Sequence, residues 1–284
     1  MGVRRKEFIE YLRVLPTNEP LSEAFEIPVP EFFAEMMRFF WIRADGDPER
    51  CLILFDEVIG FYPTNGSTRY QQTPPELFPF GHPGCDGVHY GWVVHVPDVD
   101  SVDYLVGEIC PMDGDGVFRL GLDTRDAIES LLSDYGDNTS GPPNPTRTEL
   151  LHEFKLELSP DKARNRYDAN GHGRPISPKP PTGWRFLQSS DGVGVLAPAG
   201  LFSPDEVLKG SYNISAETFL EKARLADEDR FPATALYYLR EGYWYHWTDQ
   251  KWLRKFATEM ISIYDALGRP HLGRVVSRSL REFG

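Results

Sequence analysis

The sequence predicts an α+β protein that ends in a helical C-terminal unit. Runs of strand character between residues 51 and 120 lie next to one another instead of alternating with helices, which argues against a doubly wound α/β fold. Helical periodicities flank those runs, and four closely spaced helical segments fill residues 215 to 284. Two Pro/Gly-rich breaks then suggest three stretches: an α+β domain over 1–137, a linker with a few strands over 138–210, and a helical unit over 211–284.

Phe8, Tyr11 and Leu12 sit at helical spacing, and Pro16 ends that element. From Glu31, the residues Phe32, Phe33, Met36, Phe39 and Phe40 make a broad apolar helical face, with Pro30 suited to its start. Strand character follows at Cys51–Phe55, Val58–Tyr62, Tyr90–Val96, Tyr104–Ile109 and Gly116–Leu120. Thr124 can cap a helix whose face is Ala127, Ile128, Leu131 and Leu132. Asn138 to Pro145 reads as a linker, and the alternation His152–Leu158 predicts a strand. Trp184–Leu187 and Val193–Leu196 suit a hairpin around Asp191-Gly192. Four helices complete the chain: one capped by Ser215, one after Pro232, one opened by Asp249, and one beyond Gly268-Arg269-Pro270. Their short breaks resemble tetratricopeptide-type repeats, but the diagnostic positions are not in register, so a helical unit is expected rather than a solenoid.

Composition narrows the function classes. Apolar residues make up 40% of the chain and aromatics 13%, enough for a true core. Thirty basic against 43 acidic residues leave a formal charge of −13, which disfavours nucleic acid as the main partner. No apolar run reaches the length of a membrane span, and the basic start Met1–Phe8 lacks the apolar stretch of a signal peptide. Three cysteines, Cys51, Cys85 and Cys110, are an odd number that suits reduced thiols and a cytoplasmic location.

Chemistry-bearing residues concentrate in Thr73–Trp92. His82, Cys85 and His89 have zinc-like spacing, with Cys110 as a conceivable fourth ligand; the competing reading is a tight loop feeding a strand, and no metal or other cofactor is expected. Neither a G-x-S-x-G elbow nor a phosphate-binding loop is present, and Cys85 beside Asp86 and His89 does not make a triad by sequence proximity. The Asp113–Gly116 segment lacks the later oxygen ligands of a calcium loop. No catalytic residue is therefore assigned. Charge is the stronger signal. From Asp86 to Asp137 twelve acids face only Arg119 and Arg125, while Lys251 to Gly284 holds seven basic residues against three acids. The acidic stretch reads as a solvated surface, as a face for a basic partner, or as a surface that docks on the chain's own basic end. A further cluster, Leu236–Trp247, is dense in aromatics and reads as helix-packing core or as a protein-binding spot.

Residues from about 28 to 135 resemble the SUKH superfamily, which includes fungal cell-wall-synthesis regulators and many bacterial immunity proteins. The resemblance rests on Pro30-Glu31-Phe32-Phe33 with its hydrophobic helix, on Tyr62–Gly66, on Thr73–Gly81 leading into Asp86–Trp92, and on a strand, an acidic turn and a closing helix at Thr124–Leu132. The family's usual two-glycine step after the first helices is missing, and everything beyond residue 138 lies outside the likeness. The resemblance implies a curved mixed sheet with flanking helices, no catalysis, and work done by binding proteins. The expectation is an immunity protein that neutralises a basic toxin such as a nuclease. Its partner-binding residues are then Asp86, Asp98, Asp100, Asp103, Asp113 and Asp115, with Trp92 from the same region. The alternatives are a regulatory scaffold that recruits a partner through its C-terminal helices and, behind it, a metal-dependent enzyme.

Overall fold

A computed structural model describes residues 25–64, 69–96, 104–111, 114–136, 144–164, 166–169 and 172–283. The chain is α+β, as its segment order predicts, and forms two compact units. The first comprises residues 1–68, 77–112 and 118–174; the second comprises 69–76, 113–117 and 175–284. The element around Phe8–Leu12 lies outside the described residues.

In the first unit, α1 (Glu31–Arg43) buries Phe33, Met36, Met37, Phe39 and Phe40, the face its periodicity predicts. The next element corrects the sequence reading. Cys51–Phe55 and Val58–Ile59 are not strands but parts of one helix, α2 (Pro48–Ile59). Its buried residues Cys51, Leu52, Phe55, Val58 and Ile59 follow a helical period. Asp47 caps it, accepting from the Glu49 and Arg50 amides at 2.9 and 3.3 Å, and Gly60 ends it in the left-handed region. Strand-like composition there was outweighed by caps and spacing.

A five-stranded sheet follows in the order β1 (Tyr62–Pro63), β2 (Leu77–His82), β3 (His89–Val93), β4 (Leu105–Ile109) and β5 (Val117–Gly121). The β1–β2, β2–β3 and β3–β4 pairs are antiparallel, rather than the mixed sheet that the family likeness implies. β2 is an inner strand that sequence pattern missed because it contains Pro79 and Gly81. The register shifts between those two residues, and such an irregularity is where a sheet tolerates a residue without an amide hydrogen. Trp92 on β3 packs against Phe25, Phe33 and Phe80 with centroids 4.8–5.0 Å apart. Helix α3 (Thr124–Gly136) follows as expected. Residues 144–164 hold helices instead of the expected linker and strand: α4 (Pro145–Phe154), capped by Asn144, and α5 (Pro160–Arg164). Only Leu150 of α4 is buried, so its helical signal is faint. Asn144-Pro145 starts it, and Lys155 at φ 51° stops it before Leu156 can extend the apparent alternation.

In the second unit, β6 (Trp184–Leu187) and β7 (Val195–Pro198) form the predicted hairpin, with Trp184 opposite Pro198 and Leu187 opposite Val195. Helices α6 (Ala216–Glu228), α7 (Pro232–Tyr245), α8 (Gln250–Ala266) and α9 (Pro270–Phe283) follow. Ser215 and Asp249 cap α6 and α8 through their side chains, as the sequence suggests. No helix among the described residues is long and apolar enough to cross a membrane.

Candidate functional site

Net charge is divided very unequally between the units. The first holds 27 of the 43 acids and 15 of the 30 basic residues, a net −12; the second is left with 16 and 15, a net −1. Nearly all of the chain's charge imbalance therefore belongs to one body.

Asp86 is presented by the turn between β2 and β3. The Val88 amide donates to the Cys85 carbonyl at 3.1 Å, and Asp86 itself is exposed at φ 49° between Gly84 and Gly87, both also left-handed. A non-glycine residue in that region is uncommon, so the turn's backbone is constrained where it exposes Asp86. Asp115 is exposed as well, but it belongs to the second unit. Asp98, Asp100, Asp103 and Asp113 lie outside the described residues.

Trp92 must be removed from the partner-binding set. It is 0% exposed, its indole donates to the Thr124 hydroxyl at 3.0 Å, and the aromatic cluster surrounds it. A side chain with no accessible surface has nothing to offer a partner. The acidic window needs a second correction. Counted over residues 86 to 137 it looks almost unopposed, yet cations from just beyond it neutralise four of its members. Arg166 bonds Glu108 at 2.6 Å and Asp134 at 3.0 Å, while Lys162 pairs with Glu129 and lies 3.9 Å from Asp126. These pairs stitch α3 and β4 to the 162–166 segment and are scaffold, not docking surface.

The zinc-like motif does not assemble. His89 is fully buried with its Nδ1 2.9 Å from the Gly87 carbonyl, and the His82 ring lies against Tyr62, where burial lowers its pKa. Cys85 is exposed, and the Cys110 sulfur lies 3.9 Å from the Asp86 carbonyl. Among the described residues no group of three His, Cys, Asp or Glu side chains is arranged to hold a metal ion.

The second unit contains a buried charge network that sequence reasoning missed. Arg240 on α7 donates from Nε to Asp191 at 2.7 Å and from Nη1 to the Gly194 carbonyl at 2.7 Å, and Nη1 lies 2.9 Å from Glu76. Tyr264 donates to Glu76 at 2.8 Å, and the Ser189 hydroxyl donates to Asp191 at 2.6 Å. Arg69 donates to the Pro74 and Pro75 carbonyls, both at 3.0 Å, and burial pushes its pKa down to about 10 against the pull of Glu76. Beside them lies a cavity of about 30 Å³ lined by Arg69, Gln72, Asp191, Arg240 and Tyr243, among others. That is space for a water or two; small-molecule sites are roughly tenfold larger. Next to Arg240, the buried Glu241 carboxylate accepts from the Ser190 amide at 2.6 Å and its hydroxyl at 2.8 Å. The one sequence signal for this centre was an Arg-Glu pair inside the aromatic Leu236–Trp247 run. The run up to Tyr245 proves to be helix, with Leu236, Tyr237, Leu239, Arg240, Glu241 and Trp244 buried and Tyr243, Tyr245, His246 and Trp247 partly exposed. The arrangement pins the 69–76 and 188–194 loops to α7 and α8 within that unit; it does not present a reacting atom to an open site. No protein-family model matches the chain, and a search of curated proteins finds no match.

Proposed function

We propose that this chain is a non-catalytic protein-binding protein whose first unit, SUKH-like in its segment order, engages a basic protein partner such as a toxin nuclease. The observation that carries the reading is the concentration of a net −12 on that unit, with Asp86 displayed on a constrained turn. A body so charged attracts cationic proteins and raises their encounter rate, and it disfavours anionic ones. Nucleases are cationic where they hold phosphate, so a carboxylate surface can cover the same ground. The buried arginines of the second unit are paired with carboxylates and carbonyls beside a water-sized space, so the reading is carried by the first unit's charge and not by that network.

The test is retention of proteins from the native source on the immobilised chain at low salt, followed by a wash at about 0.5 M salt, where charges are screened beyond about 4 Å. The reading predicts a retained protein of high isoelectric point that the wash releases. Retention of neutral or acidic proteins, or of basic ones indifferent to salt, contradicts it. The scaffold alternative rests on the exposed cations Lys251, Lys255, Arg274 and Arg281 on α8 and α9, and predicts an acidic partner instead. Cutting the chain does not separate the two readings, because residues 69–76 and 113–117 belong to the second unit although their neighbours in sequence belong to the first.

A further inference from the structure

The stretch Ile176-Ser177-Pro178-Lys179-Pro180-Pro181 in the second unit is used neither by the buried network nor by the acidic surface. It takes no helix or strand conformation, and Ser177, Lys179, Pro180, Pro181 and Thr182 are exposed. From Ser177 to Pro180 no backbone–backbone hydrogen bond is made among the described residues. Three prolines that lack amide hydrogens and fix their own φ leave an extended, solvated backbone as the favoured state.

Both ends of the stretch are held. Ile176 is 0% exposed and anchors the start. At the other end the Trp184 amide donates to the Pro181 carbonyl at 2.9 Å across a turn with Gly183 at φ 81°, and β6 begins at once. A tethered arm therefore displays Pro180 and Pro181 fully and Pro178 in part, with much of the ordering cost of binding already met by the fold.

Spacing identifies what such an arm fits. With three residues per turn, Pro178 and Pro181 share one ridge of a polyproline helix, and Ser177-Pro178 and Pro180-Pro181 form two X-Pro steps separated by Lys179. Two such steps fill adjacent slots of an aromatic-lined groove. Lys179 is exposed and makes no ion pair among the described residues, so its ammonium is available to an acidic rim beside that groove. We propose that residues 176–182 are a docking arm for a protein domain with an aromatic, acid-rimmed proline-binding groove. The arm is independent of the charge reading of the first unit, and either can fail alone.

The experiment uses the full chain against purified, immobilised SH3, WW and EVH1 domains as probes. The expected result is saturable micromolar binding to at least one of these domains, as is common for short linear motifs. The double substitution Pro178→Ala/Pro181→Ala weakens it about tenfold or more, and Lys179→Glu weakens it further. Melting temperature is measured in parallel and stays near that of the parent, since neither proline donates a hydrogen bond or fills the core. Lack of binding to all three groove classes overturns the proposal, as does binding that survives the proline substitutions. Binding lost instead by charge reversal at Asp86 also overturns it, because the first unit would then be the site.

Discussion

Arg240→Met is the most informative single perturbation of the second unit. The guanidinium is sealed from solvent and faces two carboxylates, Glu76 at 2.9 Å and Asp191 at 2.5 Å. Methionine keeps much of the volume and removes the charge. Glu76 then keeps the Tyr264 hydroxyl and Asp191 keeps the Ser189 hydroxyl and the Val193 amide, but Asp191 loses its paired cation and Glu76 keeps only the pull of Arg69 and Arg269. Breaking a buried pair in this way costs about 3–5 kcal/mol. The Gly194 carbonyl also loses its donor, worth about another 1 kcal/mol. Urea unfolding at neutral pH, followed by tryptophan fluorescence, measures the loss. Adding Glu76→Gln and Asp191→Asn to Arg240→Met removes the stranded charges and restores most of the stability, because the destabilisation comes from unpaired carboxylates and not from lost packing. A loss below about 1 kcal/mol for Arg240→Met, or no recovery in the triple variant, would refute the electrostatic account of this centre.

Two further outcomes follow from the same physics. Burial, with neighbouring Asp191 adding to it, holds the Glu241 carboxyl above its ordinary value although Ser190 donates to it. The folded state thus keeps a proton that the unfolded chain has released, so this group's contribution to stability falls as pH rises from about 4 through the raised value. Glu241→Gln removes that slope: thermal melts show the variant gaining on the parent between pH 4 and neutrality, and a constant gap contradicts the assignment. Trp92→Ala lowers first-unit stability by about 3–5 kcal/mol in denaturant titrations, and partner binding by the fraction that stays folded is unchanged. Loss of binding by a fully folded Trp92→Ala chain would return that residue to the interface.

Local signals made much of the fold legible. The caps Ser215 and Asp249 and the Gly268-Arg269-Pro270 break placed the C-terminal helices, since capping is a property of a few adjacent residues. Misreadings arose where local composition and long-range pairing disagree. β-branched and apolar residues in Cys51–Ile59 resemble strand, but Asp47, Pro48 and Gly60 bracket a helix. β2 was hidden by Pro79 and Gly81, whose tolerance depends on an irregularity in pairing with β3. Charge pairing was invisible in the same way. Arg166 and Lys162 reach carboxylates 32 to 58 residues earlier, so a charge count over one window overstates the free acid. Arg240, Glu76 and Asp191 come from three distant stretches, and no spacing in the chain links them.

The charge reading of the first unit is tested most directly by association kinetics with the basic protein retained on the immobilised chain. Reversing Asp86, Asp98, Asp100 and Asp103 to lysine moves the formal charge from −13 to −5. The parent's association rate constant should fall about tenfold or more between about 20 mM and about 500 mM salt, and the reversed chain should start slow and respond weakly. Equal rate constants for the two chains at low salt would contradict the account, since the carboxylates would then play no part in bringing the partner in.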